Sequence, residues 1–300
     1  MEGALQELKK LGICVEENNL LARHCSFRIG GAARGMVFPK TAEEMRCTVG
    51  LLAEQKIPFR VCGRGSNLVF PDEGLCGVVV FTTGMRSVTW QGAELRAEAG
   101  ASLSALALAA RDRGLTGLEF AHGIPGTLGG AVFMNAGAFG QEMAEVCAES
   151  TYLDLSTGTV QILRGKEHGF SYRKSIYQEH PEWILLDATL VLTSGDRQAI
   201  SARMEEQMAR RRATQPWEFP SAGSVFKRPA GDAAGRLIDA CGLKGLAVGG
   251  AMVSPKHAGF IVNTGNATCA DVRALVGQIR ERVLAQTGVL LECEIEFVEM

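Results

Sequence analysis

"GIPGTLGGAVFMNAGAFG", Gly123 to Gly140, is the stretch on which the reading of this chain turns. So many glycines and alanines in succession cost backbone entropy that a plain connection has no reason to spend. Almost no charge interrupts the run. Such a strip suits close contact along a large, flat, uncharged ligand, with backbone N–H groups serving as donors. The alternative is a tightly packed crossing of the core. A second cluster, "GRGSNL" from Gly63 to Leu68, lies between two apolar runs. It reads either as a phosphate cradle, with Ser66 and Asn67 adding donors, or as a tight strand-to-strand turn. Leu68 stands where a dinucleotide fingerprint needs its third glycine, and no G-x-x-x-x-G-K-[ST] occurs. Two clusters ahead of residue 200 point to one long ligand with an anionic middle, as in a dinucleotide cofactor.

The surroundings narrow the class. Three hundred residues, 46% apolar and 21% charged, make a packed globular chain of two or three structural units. A net charge of −2 argues against a general nucleic-acid or membrane binder. The nine cysteines are scattered without a C-x-x-C pair, so neither a metal site nor a disulfide scaffold is expected. Free thiols and an N-terminus without an export pattern read as cytoplasmic. Nothing calls for an obligate protein partner.

Thr41 and Glu44 form a capping box, followed by Met45, Val49 and Leu52 on one helical face. Ser102 caps a helix that stops at Gly114. "TYLDLSTGTVQILR" is a hairpin turning at Thr157–Gly158, and "WILLDATLVL" a buried strand. A charged helix ends at Pro216, with Arg210, Arg211 and Arg212 as weaker candidates for phosphate contact that read more readily as dipole-favoured, solvated cations. A long helix carries Val272, Leu275, Val276, Ile279 and Val283, and "LLECEIEFVE" alternates as a half-buried strand. The main boundary falls near residue 200.

"PSAGSVFKRP", Pro220 to Pro229, places a hydroxyl among small side chains and follows it with an aromatic and two cations. Taken with "SFRIGGAA" (Ser26 to Ala33), "FSYRKS" (Phe170 to Ser175), "HAGFIVN" (His257 to Asn263), "LECEIEF" and both glycine clusters, in that family's order, it makes the chain resemble the UDP-N-acetylenolpyruvoylglucosamine reductases. The likeness runs nearly end to end. The lack of an insertion between Arg173 and Ser224 matches the family's shorter form.

The resemblance implies an α+β fold. An FAD-binding domain of the p-cresol methylhydroxylase type would occupy residues 1–200, in two subdomains split near residue 83. A smaller α+β substrate domain would occupy 201–300. It implies FAD contacts at Gly63, Arg64, Gly65, Ser66, Asn67 and Leu68 near the pyrophosphate, and at Gly123, Ile124, Pro125, Gly126, Thr127, Gly130, Asn135, Gly137 and Ala138 towards the flavin. NADPH would be the co-substrate and UDP-N-acetylglucosamine enolpyruvate the substrate of this step in peptidoglycan synthesis. Hydride added to the enolpyruvyl CH2 leaves a carbanion that needs charge stabilisation and a proton. Ser224 would be the proton donor, Arg173 the holder of the carboxylate, and Glu294 the third catalytic member. Lys227, Arg228 and His257 would bind the sugar nucleotide.

Some positions depart from the family's pattern: Cys25 for a usual threonine, Ala32 for proline, Phe139 for tyrosine, and Glu296 for a frequent arginine. Arg228 stands where some members have asparagine. Another FAD oxidase or dehydrogenase of this fold, and a flavin-binding module without turnover, are the rival readings.

Overall fold

The computed structural model describes residues 1–299. It holds two compact units, and neither is a single stretch of chain. The first comprises residues 1–17, 35–64 and 77–209; the second comprises 18–34, 65–76 and the chain from Arg210 on. Sequence order alone suggests one break near residue 200. Two early excursions instead belong with the C-terminal part.

Close backbone approach explains why those excursions pair with each other. A Cβ on Gly31 would lie 2.3 Å from the Asp72 carbonyl, and one on Gly74 only 1.9 Å from that of Ala32. Gly74 also has φ +81°, open to few other residues. Side chains tie the excursions to the rest of the unit. The Asp72 carboxylate accepts from Cys269 N–H (2.7 Å) and Ala270 N–H (3.1 Å), capping the helix Cys269–Thr287. Ser26 Oγ donates to the Ser221 carbonyl at 2.7 Å, and Asn263 Nδ2 to that of Phe27 at 3.1 Å.

In the first unit, the helices Glu2–Lys10 and Ala42–Glu54 cover a four-stranded sheet ordered Cys14–Leu20, Ala32–Phe38, Leu75–Phe81, Phe59–Cys62. Thr41 Oγ1 accepts the Glu44 N–H as expected, but the Glu44 carboxylate takes the Lys40 N–H. A five-stranded antiparallel sheet follows, ordered Thr159–Arg164, Cys147–Asp154, Trp183–Val191, Glu94–Glu98, Val88–Gln91. The helices Leu103–Asp112 and Leu128–Phe133 bury Leu103, Leu106, Leu128 and Val132 in its core. Burying each such side chain contributes roughly 1.5–3 kcal/mol.

The second unit is built on a four-stranded antiparallel sheet, ordered Ser221–Ser224, Phe260–Asn263, Ala251–Val253, Ala247–Val248. Helices Ala234–Ala240 and Cys269–Thr287 complete its core, the latter through Val272, Leu275, Val276, Ile279 and Val283.

Two expectations fail here. The terminal segment is strand only at Glu296–Phe297, parallel to Leu68–Val69. Its buried residues are Leu291, Ile295 and Val298, which do not alternate, because it pairs first with residues 225–227 and then with 67–69. Arg211 is 8% exposed rather than solvated, and burial pushes its guanidinium pKa down.

Candidate functional site

Residue 224 owes its exposure to a bulge. Ser221 pairs with Val262 and Ser224 with Phe260, with a register shift between them, and Gly223 takes φ +80°. Strict alternation would put Ser224 on the buried face of Ala222. The extra residue turns it outward and sends Val225, 1% exposed, into the core.

Beyond the bulge the segment is held on both sides. Val225 N–H donates to the Gly259 carbonyl (2.8 Å), while the Val225 carbonyl accepts from Glu294 N–H (2.8 Å). Phe226 bridges Cys293, and Lys227 N–H donates to the Glu292 carbonyl (2.8 Å). Asn67 Nδ2 donates to the Glu294 carbonyl (2.9 Å), and Glu296 N–H to that of Asn67 (2.9 Å). The second half of the "GRGSNL" loop, the Ser224 segment and Glu294 thus form one ladder. Glu294 is half-buried.

Lys227 Nζ reaches Glu292 Oε1 at 2.5 Å, a pairing the sequence did not suggest, and Arg228 is exposed. His257 Nδ1 accepts the Gly259 N–H at 3.1 Å. Burial lowers its pKa, and the neutral ring then carries its proton on Nε2. Ser254 Oγ fixes this turn by accepting from Lys256 and His257 N–H, both at 3.2 Å.

The first unit holds Gly63, Arg64, the glycine strip and Arg173. Thr127, 2% exposed, caps the helix Leu128–Phe133 by accepting the Gly130 N–H (3.3 Å). A Cβ on Gly63 would lie 2.5 Å from Thr127 Oγ1, so that glycine keeps the cap in place. Gly123 N–H donates to Ser104 Oγ (3.2 Å), Ile124 N–H to the Ala121 carbonyl (3.1 Å), and the Gly126 carbonyl accepts from Leu103 (3.1 Å). Pro125 lies in the same connection. Gly137–Ala138 pairs with Gln141–Glu142 through a turn at Phe139 (φ +55°) and Gly140 (φ +86°).

The strip is therefore helix and hairpin rather than one flat surface. Part of its glycine content is packing: a Cβ on Gly129 would meet that of Ala99 at 2.9 Å, and one on Gly137 the Gln141 carbonyl at 2.5 Å.

Arg173 sits at the tip of a tight turn closed by two bonds between Ser171 and Lys174, at 3.1 and 3.0 Å. Its φ of +56° is uncommon for a side chain of this size. Fully buried Asn135 ties the strip to this turn, Nδ2 donating to the Ser171 carbonyl (3.0 Å) and Oδ1 accepting from Ala144 (2.9 Å). Arg173 Nη2 donates to the Gly137 carbonyl at 3.3 Å, and Gln178 Nε2 to the Arg173 carbonyl at 3.0 Å. Ser26, Gly223 and Gln178 are contributors that sequence reasoning missed. The first two lay inside quoted motifs and were readable only as spacing.

No group of three or more His, Cys, Asp or Glu among the described residues could hold a metal ion, and no helix among them is long and apolar enough to cross a membrane.

Residues 33–164 match the family model described as "FAD binding domain", and residues 215–298 match "UDP-N-acetylenolpyruvoylglucosamine reductase, C-terminal domain". The fold and these matches define an α+β class of protein with an FAD-binding domain. The UDP-N-acetylenolpyruvoylglucosamine reductase of Caldanaerobacter subterraneus is 48% identical over 281 residues, covering 94% of this chain and 92% of the relative. That of Anoxybacillus flavithermus is 40% identical over 300 residues, covering 99% of each. The crystal structure of the Thermus caldophilus reductase superposes with a TM-score of 0.81 at 37% identity, covering 96% of this chain and all of that one. The chain belongs to the UDP-N-acetylenolpyruvoylglucosamine reductase family, in its 300-residue short form.

The residues present fit FAD. In the second unit the Gly65 carbonyl takes the Ser26 N–H (3.3 Å), so the trans peptide plane turns the Ser66 N–H to the opposite side. Neutral amides beside the Ser66 hydroxyl are donors suited to a pyrophosphate. In the first unit a Cβ on Gly130 would make only ordinary contact, 3.5 Å from Thr127 Oγ1, so its glycine is not explained by packing.

Proposed function

We propose that the chain reduces UDP-N-acetylglucosamine enolpyruvate to UDP-N-acetylmuramate, with NADPH as reductant, in peptidoglycan synthesis in the cytoplasm. Bound FAD, once reduced, supplies the hydride from its N5 to the enolpyruvyl CH2 carbon. Residues 63–68, 123–127, 130, 135, 137 and 138 hold that cofactor. The Arg173 guanidinium holds the substrate carboxylate, where negative charge develops, with a fork matched to two oxygens. Ser224 Oγ gives its proton to the carbon bearing that carboxylate. A hydroxyl is a feeble acid, but such a carbon is basic enough to take its proton. Glu294 completes the catalytic set. Lys227, Arg228 and His257 bind the sugar nucleotide, and sharing a segment with the acid lets docking orient the hydroxyl.

The observation that carries this reading is the bulge that exposes Ser224 next to Val225, whose carbonyl takes the Glu294 N–H. An oxidase needs no acid aimed at carbon, which weighs against another FAD oxidase or dehydrogenase. Anaerobic stopped-flow absorbance tests it. NADPH should bleach the flavin, and the enolpyruvyl sugar nucleotide should restore its colour. Bleaching without recovery removes the substrate, and no bleaching points to a binding module without turnover.

A further inference from the structure

The first unit contains a buried polar cluster that the proposed chemistry does not use. Ser150, His168 and Tyr177 are 0%, 0% and 2% exposed. His168 Nδ1 lies 2.9 Å from the Gly165 carbonyl, His168 Nε2 lies 2.8 Å from Ser150 Oγ, and Ser150 Oγ lies 2.7 Å from Tyr177 OH. The ends of this row set its proton order. A carbonyl only accepts, so Nδ1 carries hydrogen. Burial pushes the His168 pKa down, which keeps the ring neutral and leaves Nε2 an acceptor. Ser150 therefore donates to His168 and accepts from Tyr177. The Cys147 thiol, 3.8 Å from Nε2, is pushed up to about 12 by burial and stays protonated.

The row joins two ends of one loop. His168 precedes Arg173 in the chain and Tyr177 follows it, and both close on one hydroxyl of the strand Cys147–Asp154. Phe170 stacks on His168 with ring centroids 4.9 Å apart, and Ser175 Oγ donates to the Phe133 carbonyl at 2.7 Å. At the tip, Arg173 holds a left-handed conformation, which persists only when its surroundings over-determine it.

We propose that Ser150 is a positioning residue for Arg173: by binding His168 and Tyr177 at once, its hydroxyl draws both stems of the loop to the sheet and fixes where the guanidinium stands. The role rests on the reading of Arg173 as the carboxylate holder, but the pinning itself is independent of it.

Two readouts on the FAD-loaded full chain separate these. Limited trypsin digestion scores cleavage after Arg173 and Lys174 against the remaining sites. Ser150→Ala and Tyr177→Phe should each raise it about tenfold, the effect of one lost buried hydrogen bond. In single turnovers Ser150→Ala should slow reoxidation by the enolpyruvyl sugar nucleotide about tenfold, leave reduction by NADPH unchanged, and add nothing further in an Arg173→Ala background. Unchanged cleavage in both variants overturns the pinning, and a slowdown that persists in full without Arg173 overturns its catalytic consequence. If Ser150→Ala does not fold, Tyr177→Phe, which keeps its ring, decides by the same measures. A wild-type chain that never reoxidises with this substrate refutes the proposed function, while the protease arm still judges Ser150.

Discussion

The Arg173 turn and the Ser224 strand present their functional side chains by opposite means. Arg173 stands on a tight turn in a costly backbone conformation, closed by main-chain bonds between Ser171 and Lys174 but anchored to its surroundings by side chains: Asn135, Ser175, Gln178 and the Ser150 row. Ser224 stands on a strand held by main-chain bonds to residues 259 and 292–294, and only the bulge at Gly223 is unusual. Single side-chain changes should therefore disturb the turn readily. The strand should yield only to changes in its own hydroxyl or its bulge.

The largest effect expected is on the strand. Ser224→Ala should slow flavin reoxidation by the enolpyruvyl substrate at least about 10³-fold, within the range typical of a lost general acid, while reduction by NADPH stays near normal in stopped flow. Equal losses in both half-reactions would make the serine structural. On the turn, Asn135→Leu strands the Ser171 carbonyl and the Ala144 N–H. It should cost about 2–4 kcal/mol in urea unfolding, and a change below about 1 kcal/mol would show that those groups find other partners.

Arg228→Ala should raise KM for the sugar nucleotide about tenfold or more, the scale of one charged hydrogen bond, with kcat little altered. An unchanged KM would remove Arg228 from the phosphate site. Gly223→Ala should cost about 1–2 kcal/mol of stability from left-handed strain and slow reoxidation without altering tryptic cleavage after Arg173. Faster cleavage there would break the distinction between the two regions.

The smallest effect is in acid. Unfolded chain protonates a histidine near about pH 6.5, whereas buried His168 resists, so below that pH the unfolded state binds more protons. Stability should fall as pH drops from that value towards the folded pKa, by at most about 1.4 kcal/mol per pH unit. His257 contributes with the same sign. His168→Gln should flatten the decline in Tm between about pH 7 and about pH 5, and an unaltered slope would exclude His168 as a source.

What could be read in advance was local. Caps at Thr41 and Ser102, and the hairpin turning at Gly158, are short-range signals, and the helices and strands around them match. What escaped depends on partners far off in the chain. Alternation from Leu290 to Glu299 predicted one strand because it could not register that residues 225–227 and 67–69 each claim part of it. Arg211 was placed in solvent by its charge, and nothing in its local sequence announces that it is buried to 8% exposure. At the site, the serine's setting was legible as composition, but the need for Gly223 was not, since only the pairing with Phe260 and Val262 reveals a bulge. The link between Asn67 and Glu294 spans 227 residues and left no mark in either motif.

That link bears on how the molecule is made. Residues 77–209 leave the ribosome as an unbroken run, whereas Gly65–Leu68 receives its last main-chain partner only when Glu296 has been synthesised. A nascent chain that has not yet reached Glu296 therefore carries the Gly65–Leu68 loop without the bond that closes its ladder.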